Sequence, residues 1–381
     1  MIAETQSVLL PNIGAEESHR SGKTLAQHPV VIHLGELWQN SFGLPTESTA
    51  DNSPSHQNPY GDDLPAAPGL LPWFATQSTF LEAQQRGLPH LGPKPQIVQT
   101  IHNKGFAKQL AQTIGHKAGW QYSHILQCIQ SEQEAKSALE EILAGWPQWA
   151  QANFTIKPCM GSSGRGRIAG KNGLISTQHI RGLMKMSQRG GAIVEPWYST
   201  IHNLSTQIFF KPDLTWNICG HTSQVLTQSG TYLGNHGRLV QGKSNSGTQY
   251  DSQLEQVAQS IAPLIQEQGF EGICGFDAFS FLCPETGAEK FRAPLEINAR
   301  FTSATVGMRY MRRLASQHSI DHGSWLFLLD AQEAWCEVAV QNPDWKSWII
   351  PTKTTGKKAL ILISEHSEIL KQWLVENGLR P

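Results

Sequence analysis

The sequence predicts an α+β (mixed α/β) fold with more than one folded unit. Three observations predict it. The 381 residues exceed the ~150 expected of a single domain, so the prior is two or three. Apolar residues recur at the helical period in some segments and run as short buried strands in others. Helical and strand segments alternate irregularly, with hairpins among the strands, rather than in a repeating βα order.

The elements follow in chain order. Val30-Val31-Ile32-His33-Leu34-Gly35 reads as a buried strand ending at a glycine turn. Residues 43–69 carry Pro45, Pro54, Pro59, Pro65 and Pro68 among Asn, Ser and Asp, which reads as a loop, either disordered or a functional flap. From Lys104 to Ile114, Phe106, Ala107, Leu110, Ala111 and Ile114 share a helical face, with Gly115 just past the end. Ser131-Glu-Gln-Glu134 reads as a capping box opening a helix with Ala135, Ala138, Leu139, Ile142 and Leu143 inward. Asn153 to Lys157 and Ala192 to Glu195 read as strands. Leu204 to Phe210 and Leu214 to Cys219 read as a hairpin turning at Lys211-Pro-Asp213. Residues 251–268 read as a helix that Pro263 should kink or shorten. Cys274 to Leu282 and Phe291 to Asn298 read as two strands about a short turn. The chain closes with a strand, Ala359 to Ile363, and a helix ending before Gly378.

Composition excludes several classes of function. Lys+Arg number 30 and Asp+Glu 31, a net charge of −1. Bulk attraction to nucleic acid or an anionic membrane needs a basic excess, so neither is an expected partner. Twelve Trp and 14 Phe argue against intrinsic disorder. No uncharged run of 18 apolar residues offers a membrane span, and the N-terminus lacks an export signal. Cys128, Cys159, Cys219, Cys274, Cys283 and Cys336 are scattered without a C-x-x-C pair, and read as reduced, mostly core thiols. Cytoplasm is the expected location.

Two constellations carry chemistry. Lys157-Pro-Cys-Met-Gly161-Ser162-Ser163-Gly164-Arg165-Gly166 follows a strand. Its glycines and hydroxyls leave backbone N–H groups free to wrap an anion, with Lys157 and Arg165 adding charge. No Gly-Lys-[Ser/Thr] follows, so it is not a Walker loop, and G-x-G-x-x-G is absent. A flexible hairpin tip is the other reading. The second constellation is Leu295-Glu296-Ile297-Asn298-Ala299-Arg300, whose period of two puts Glu296, Asn298 and Arg300 on one strand face. Hairpin pairing with Gly275-Phe-Asp277-Ala-Phe279 about Thr286-Gly287 sets Asp277 opposite Glu296, with Cβ atoms about 4.5–5.5 Å apart. A bulge would break that register. Two facing carboxylates beside an amide form an all-oxygen set suited to Mg²⁺. A partly exposed strand face with unrelated polar groups is the alternative.

Together these motifs resemble the ATP-grasp superfamily of carboxylate–amine and carboxylate–thiol ligases, over about residues 95 to 305. Asn103-Lys104 looks like the first nucleotide-binding lysine, and Lys157 like the second. Gly161 to Gly166, with Ser162, Ser163, Gly164 and Arg165, looks like the loop that closes over the phosphates. Val194-Glu195-Pro196-Trp197-Tyr198 looks like the hinge that holds the adenine, and Asn203 lies in the segment that follows. Asp277, Glu296 and Asn298 match the magnesium ligands, and Arg300 matches the arginine that steadies the acyl phosphate. His236-Gly-Arg238 falls where members place basic residues near the transferred phosphate.

The resemblance implies two α+β lobes clamping ATP, at 101–190 and 191–345. A pre-ATP-grasp region at 1–100 would precede them, and a strand–helix cap at 346–381 would follow. It implies ATP and Mg²⁺, with Mn²⁺ as a substitute, as cofactors. The implied reaction activates a carboxylate as an acyl phosphate, joins it to an amine, and releases ADP and phosphate. An amino acid or peptide is the implied substrate class, and a homodimer the implied assembly. Rival readings are a kinase that stops at phosphoryl transfer, a bicarbonate-using carboxylase, and a non-catalytic nucleotide-binding module. The remaining histidines lack ligand spacing. Arg309, Arg312 and Arg313, with Lys353, Lys357 and Lys358, read as solvated.

Overall fold

The computed structural model describes residues 8–13, 15, 29–42, 69–161, 166–366 and 368–380. The proline-rich stretch at 43–68, and Ser162, Ser163, Gly164 and Arg165 of the Gly-rich turn, lie outside the described residues.

The N-terminal part holds β1 (Val8–Leu10), α1 (Pro29–Ser41), β2 (Leu70–Pro72), α2 (Gln77–Gln85) and α3 (Pro95–Ile101). Strands β1 and β2 pair in parallel. The expected strand at Val30 to Gly35 is instead the first half of α1. The local β-branched run suggests a strand, but Pro29 at the first helical position presets φ for a helix. Val31, Leu34, Gly35, Trp38 and Phe42 then recur at spacings of three and four. Trp38 is fully buried edge-on to Trp73, 5.6 Å between centroids, and against Phe42 and Phe301.

Helix α4 (Lys104–Thr113) follows and buries Ala107, Leu110 and Ala111 in the main core. A middle unit comes next, with β3 (His124–Leu126), α5 (Glu132–Ala144), α6 (Gln148–Ala152), β4 (Asn153–Pro158), β5 (Ile168–Lys171), α7 (Thr177–Ser187) and β6 (Ala192–Pro196). Its four strands form an antiparallel sheet in the order β3-β6-β4-β5. Ala135, Leu139, Ile142 and Leu143 of α5 and Leu183 and Met186 of α7 bury against Phe154, Ile156 and Val194 of that sheet. Ser131 caps α5 by accepting from Glu134 N, but the Glu134 carboxylate reaches back to Gln130 N, one residue beyond the N-cap nitrogen of a reciprocal box.

The third unit runs β7 (Thr200–Phe210), β8 (Trp216–Leu226), β9 (Tyr232–Val240), β10 (Lys243–Asn245), α8 (Asp251–Gln266), β11 (Gly272–Leu282), β12 (Glu289–Asn298), α9 (Ser303–Gln317) and β13 (His322–Leu328). It ends with α10 (Glu333–Gln341), β14 (Lys346–Pro351), β15 (Lys358–Ser364) and α11 (Ile369–Glu376). Nine strands make one sheet, β12-β11-β7-β8-β10-β9-β13-β15-β14. The one strand expected in the cap is β15, and with β14, which the sequence reading did not expect, it forms the far edge of this sheet. The hairpin at Lys211-Pro-Asp213 is present as β7 and β8, and α8 carries Pro263 in its last turn. Five cysteines are buried and Cys128 is exposed. Arg309, expected on a solvated face, is buried with its guanidinium 3.7 Å above the Phe42 ring, because α9 packs on α1. Among the described residues no helix is long and apolar enough to cross a membrane.

Candidate active site

The carboxylate pair comes from the β11–β12 hairpin. Gly275 pairs with Asn298, Phe276 with Ile297 and Asp277 with Glu296, the register the sequence predicts. Beyond Asp277 the ladder slips, so that Phe279 meets Arg292. The irregularity falls on the turn side of the pair and leaves the pair itself facing. Strand β7 extends the pattern, with Asp277 opposite Ser205 and Gly275 opposite Gln207. Two rows therefore cross three strands, Ser205–Asp277–Glu296 and Gln207–Gly275–Asn298.

Asn298 Nδ2 donates to Asp277 Oδ2 at 3.2 Å, and its oxygen accepts from Arg300 Nη2 at 3.2 Å. Arg300 Nη1 also donates to the Phe301 carbonyl at 2.9 Å, which fixes the fork. Burial and then the Glu296 charge raise the Asp277 pKa. Burial opposes ionisation of Glu296 too, but the Lys104 ammonium outweighs it and holds that carboxyl below its usual range. The donor set is all oxygen, and two carboxylates this close favour a shared cation. Both properties fit a hard divalent ion that keeps part of its water shell. Among the described residues no group of three His, Cys, Asp or Glu side chains could hold a metal, so such an ion would rest on this pair and the amide.

Lys104 reaches the pair from the first turn of α4. Asn103 caps that helix by accepting from Gly105 N at 2.8 Å, and Lys104 N donates to Cys159 O just past β4. The lysine is buried. Its Nζ bonds Glu296 Oε2 at 2.8 Å and the Gly161 carbonyl at 3.0 Å. One ammonium thus joins the root of the Gly-rich turn to the carboxylate pair.

A second charged cluster lies between the two sheets. Lys157 on β4 and Glu195 on β6 are diagonal neighbours, since Thr155 stands opposite Glu195, and their side chains form an ion pair. Glu195 also accepts from Arg292 Nη2 at 2.7 Å and Ser123 Oγ at 3.1 Å. Burial works against its charge. Arg292 and then Lys157 outweigh it and hold the carboxyl at about 2. Arg292, on β12, is 1% exposed and stacks 3.8 Å above Trp120. Gly119 makes room for it: a Cβ there would meet Arg292 Cδ at 2.8 Å, and its φ of +73° already favours glycine. Sequence reasoning missed Arg292. The available signal was a lone cation in the apolar stretch Phe291-Arg292-Ala293-Pro294-Leu295.

The other expected residues divide. Trp197, just past β6, is half-exposed with the Arg167 guanidinium 4.3 Å over its ring, so it brings the far end of the Gly-rich turn to the hinge. Tyr198 is buried against Phe281, Phe279 and Trp149, and its hydroxyl donates to Gly119 O at 3.4 Å. It is a packing residue here. Asn203 lies on the Asp277 face of the sheet and donates to Thr200 Oγ1 at 3.2 Å.

Arg238 is not brought to the group. Asp277 shares a face with Ser205 and Thr222, whereas His236 stands opposite Ser223 and so points to the other face. Arg238, two residues on, points with His236 and pairs with Glu368 at 2.9 Å. The sequence motif gave no parity relative to a strand four places away in the sheet.

No protein-family model matches the sequence, and no curated protein matches it either. Solved structures do. The biotin carboxylase domain of Hydrogenobacter thermophilus 2-oxoglutarate carboxylase, solved with MgADP and bicarbonate, superposes over 81% of this chain and 73% of that one, at 13% identity and a TM-score of 0.52. Carboxyaminoimidazole ribonucleotide synthase from Aspergillus clavatus with ATP gives 81% and 80%, 12% and 0.52. N5-carboxyaminoimidazole synthetase from Staphylococcus aureus with ADP gives 82% and 81%, 10% and 0.52. Identities this low speak to architecture, and the architecture is common to all three: this chain has the ATP-grasp fold.

Proposed function

We propose that this protein is an ATP-dependent ligase that activates a carboxylate as an acyl phosphate and joins it to an amine, releasing ADP and phosphate. One observation carries the reading. Lys104 Nζ binds both the Gly161 carbonyl and Glu296, so a phosphate-wrapping turn and a cation-holding pair meet at one ammonium.

A carboxylate is a poor acylating agent, and phosphorylation makes it reactive toward an amine. The residues divide that work. Lys104 and Lys157 supply positive charge for the nucleotide phosphates. The backbone at Glu195 and the residues after it would face the base from the hinge, beside the half-exposed Trp197. Asp277, Glu296 and Asn298 would hold Mg²⁺, which neutralises phosphate oxygens when bound. Arg300, its fork fixed by Phe301 O and Asn298, would meet the acyl phosphate oxygens. The turn at 161–166 would exclude water from the mixed anhydride.

The test is ADP release against amino acids, dipeptides, small carboxylates and bicarbonate, each with and without amines, followed by mass spectrometry of positives. A condensed product supports the ligase. ADP release with a phosphorylated acceptor and no condensation supports a kinase, and strict bicarbonate dependence supports carboxylase chemistry. No stimulation by any acceptor, together with no ATP binding, removes the reading.

A further inference from the structure

A buried amide that the proposed chemistry does not use lies beside the carboxylate pair. Gln207 on β7 is fully buried. Its Oε1 accepts from Thr302 Oγ1 at 2.9 Å and Thr305 Oγ1 at 3.3 Å, at the start of α9. Both hydroxyls are already acceptors, Thr302 Oγ1 from Thr305 N and Thr305 Oγ1 from Thr302 N. Their protons can turn to Gln207 Oε1 or to one another across 3.1 Å, and the amide is oriented with its oxygen toward them. Nε2 then points the other way and donates to Ser205 Oγ at 2.8 Å. With a lone pair of Ser205 taken, its proton turns to the neighbouring acceptors, the Asp277 carboxylate and, at 3.4 Å, the Phe276 carbonyl.

The space for this amide is built in. Gly275 stands between Gln207 and Asn298 across three strands, and a Cβ there would sit 2.6 Å from Gln207 Oε1. The hydrogen bonds form a circuit that the Phe301–Thr302 backbone completes. From Thr302 they run through Gln207 and Ser205 to Asp277, then Asn298 and Arg300, whose Nη1 returns to Phe301 O next to Thr302.

We propose that Gln207 is a positioning residue for the carboxylate pair. Through Ser205 it orients Asp277, and through Thr302 it holds the chain that carries Arg300. This rests on the ligase reading, in which that pair receives a divalent cation. Groups that orient metal ligands are worth 10–100-fold in affinity.

The test is Mn²⁺ binding with a non-hydrolysable ATP analogue, read by electron paramagnetic resonance of free Mn²⁺, with Tm measured alongside. Gln207→Met and Ser205→Ala should each raise the Mn²⁺ Kd about tenfold or more. A merely structural Gln207 would lower Tm and leave that Kd in place, which overturns the proposal. Should Gln207→Met fail to fold, the milder Ser205→Ala decides, and an unchanged Kd there overturns it equally. Failure of the unsubstituted protein to bind Mn²⁺ with nucleotide would refute the ligase reading and this one with it. Tight binding in the unsubstituted protein and both variants refutes this one alone.

Discussion

Replacing Arg292 with Met tests the charged cluster between the sheets. The guanidinium is 1% exposed, and its partner Glu195 is 3% exposed. Glu195 is held at about 2 by Arg292 first and Lys157 second, against the cost of burial. Removing one partner of a buried ion pair costs about 3–5 kcal/mol, because the other charge stays buried. Lys157 and Ser123 remain on Glu195, which puts the expected loss near the lower end, about 3 kcal/mol. The stack on Trp120 disappears at the same time. Urea unfolding at pH 7 of the parent, Arg292→Met, Glu195→Gln and the double variant gives the coupling directly. The double variant should be less destabilised than the two singles predict, by about 1–3 kcal/mol, since it removes both charges. Additive singles, or an Arg292→Met protein within about 0.5 kcal/mol of the parent, would refute the assignment of Arg292 as the main counter-charge.

Three other outcomes follow from the same geometry. Glu195 has a folded-state pKa of about 2 against 4.5, so its contribution is present above pH 4.5 and is lost as pH falls through 4.5 toward 2. That share of stability is on the order of 3 kcal/mol, and it should vanish from the acid limb of a stability–pH curve in Glu195→Gln. Gly119→Ala should destabilise by about 2 kcal/mol, because its Cβ would press on Arg292 Cδ in a left-handed backbone. The loss should shrink in an Arg292→Met background, and an equal loss there would mean Arg292 is not what the Cβ meets. Glu296→Ala should cut Mg²⁺-dependent ADP release about a hundredfold or more, and parent-like turnover would remove the pair from the nucleotide site.

What the sequence made legible was local. Asp277 and Glu296 are nineteen residues apart and joined by one turn, so a parity count reaches from one to the other. Next to the turn the ladder is offset by two from the count about Thr286-Gly287, with Leu282 opposite Glu289, and two further residues of β12 between Glu296 and Arg292 make up that offset and keep parity. The Lys104 helix start and the strand at Ala192 to Pro196 are likewise short motifs whose residues explain themselves. Val30 to Gly35 shows the limit of that locality. A β-branched run suggested a strand, while the deciding contacts, Trp38 on Trp73 and Phe301, come from 35 and 263 residues away.

The same distinction explains which site residues stayed hidden. Arg292 meets Glu195 across 97 residues and two different sheets, and nothing in the spacing of either joins them. Arg238 was placed by motif order alone, and order along the chain does not specify a strand face. Gln207 lies in the segment that follows the hinge and belongs to no motif of its own. Its role follows from Gly275, which looks like an ordinary strand glycine until β7, β11 and β12 are laid side by side. Charge and glycine are thus readable as candidates, but pairing requires the fold. A cation or a glycine in the interior of an apolar strand, unexplained by its own neighbours, is the place where a distant partner should be sought.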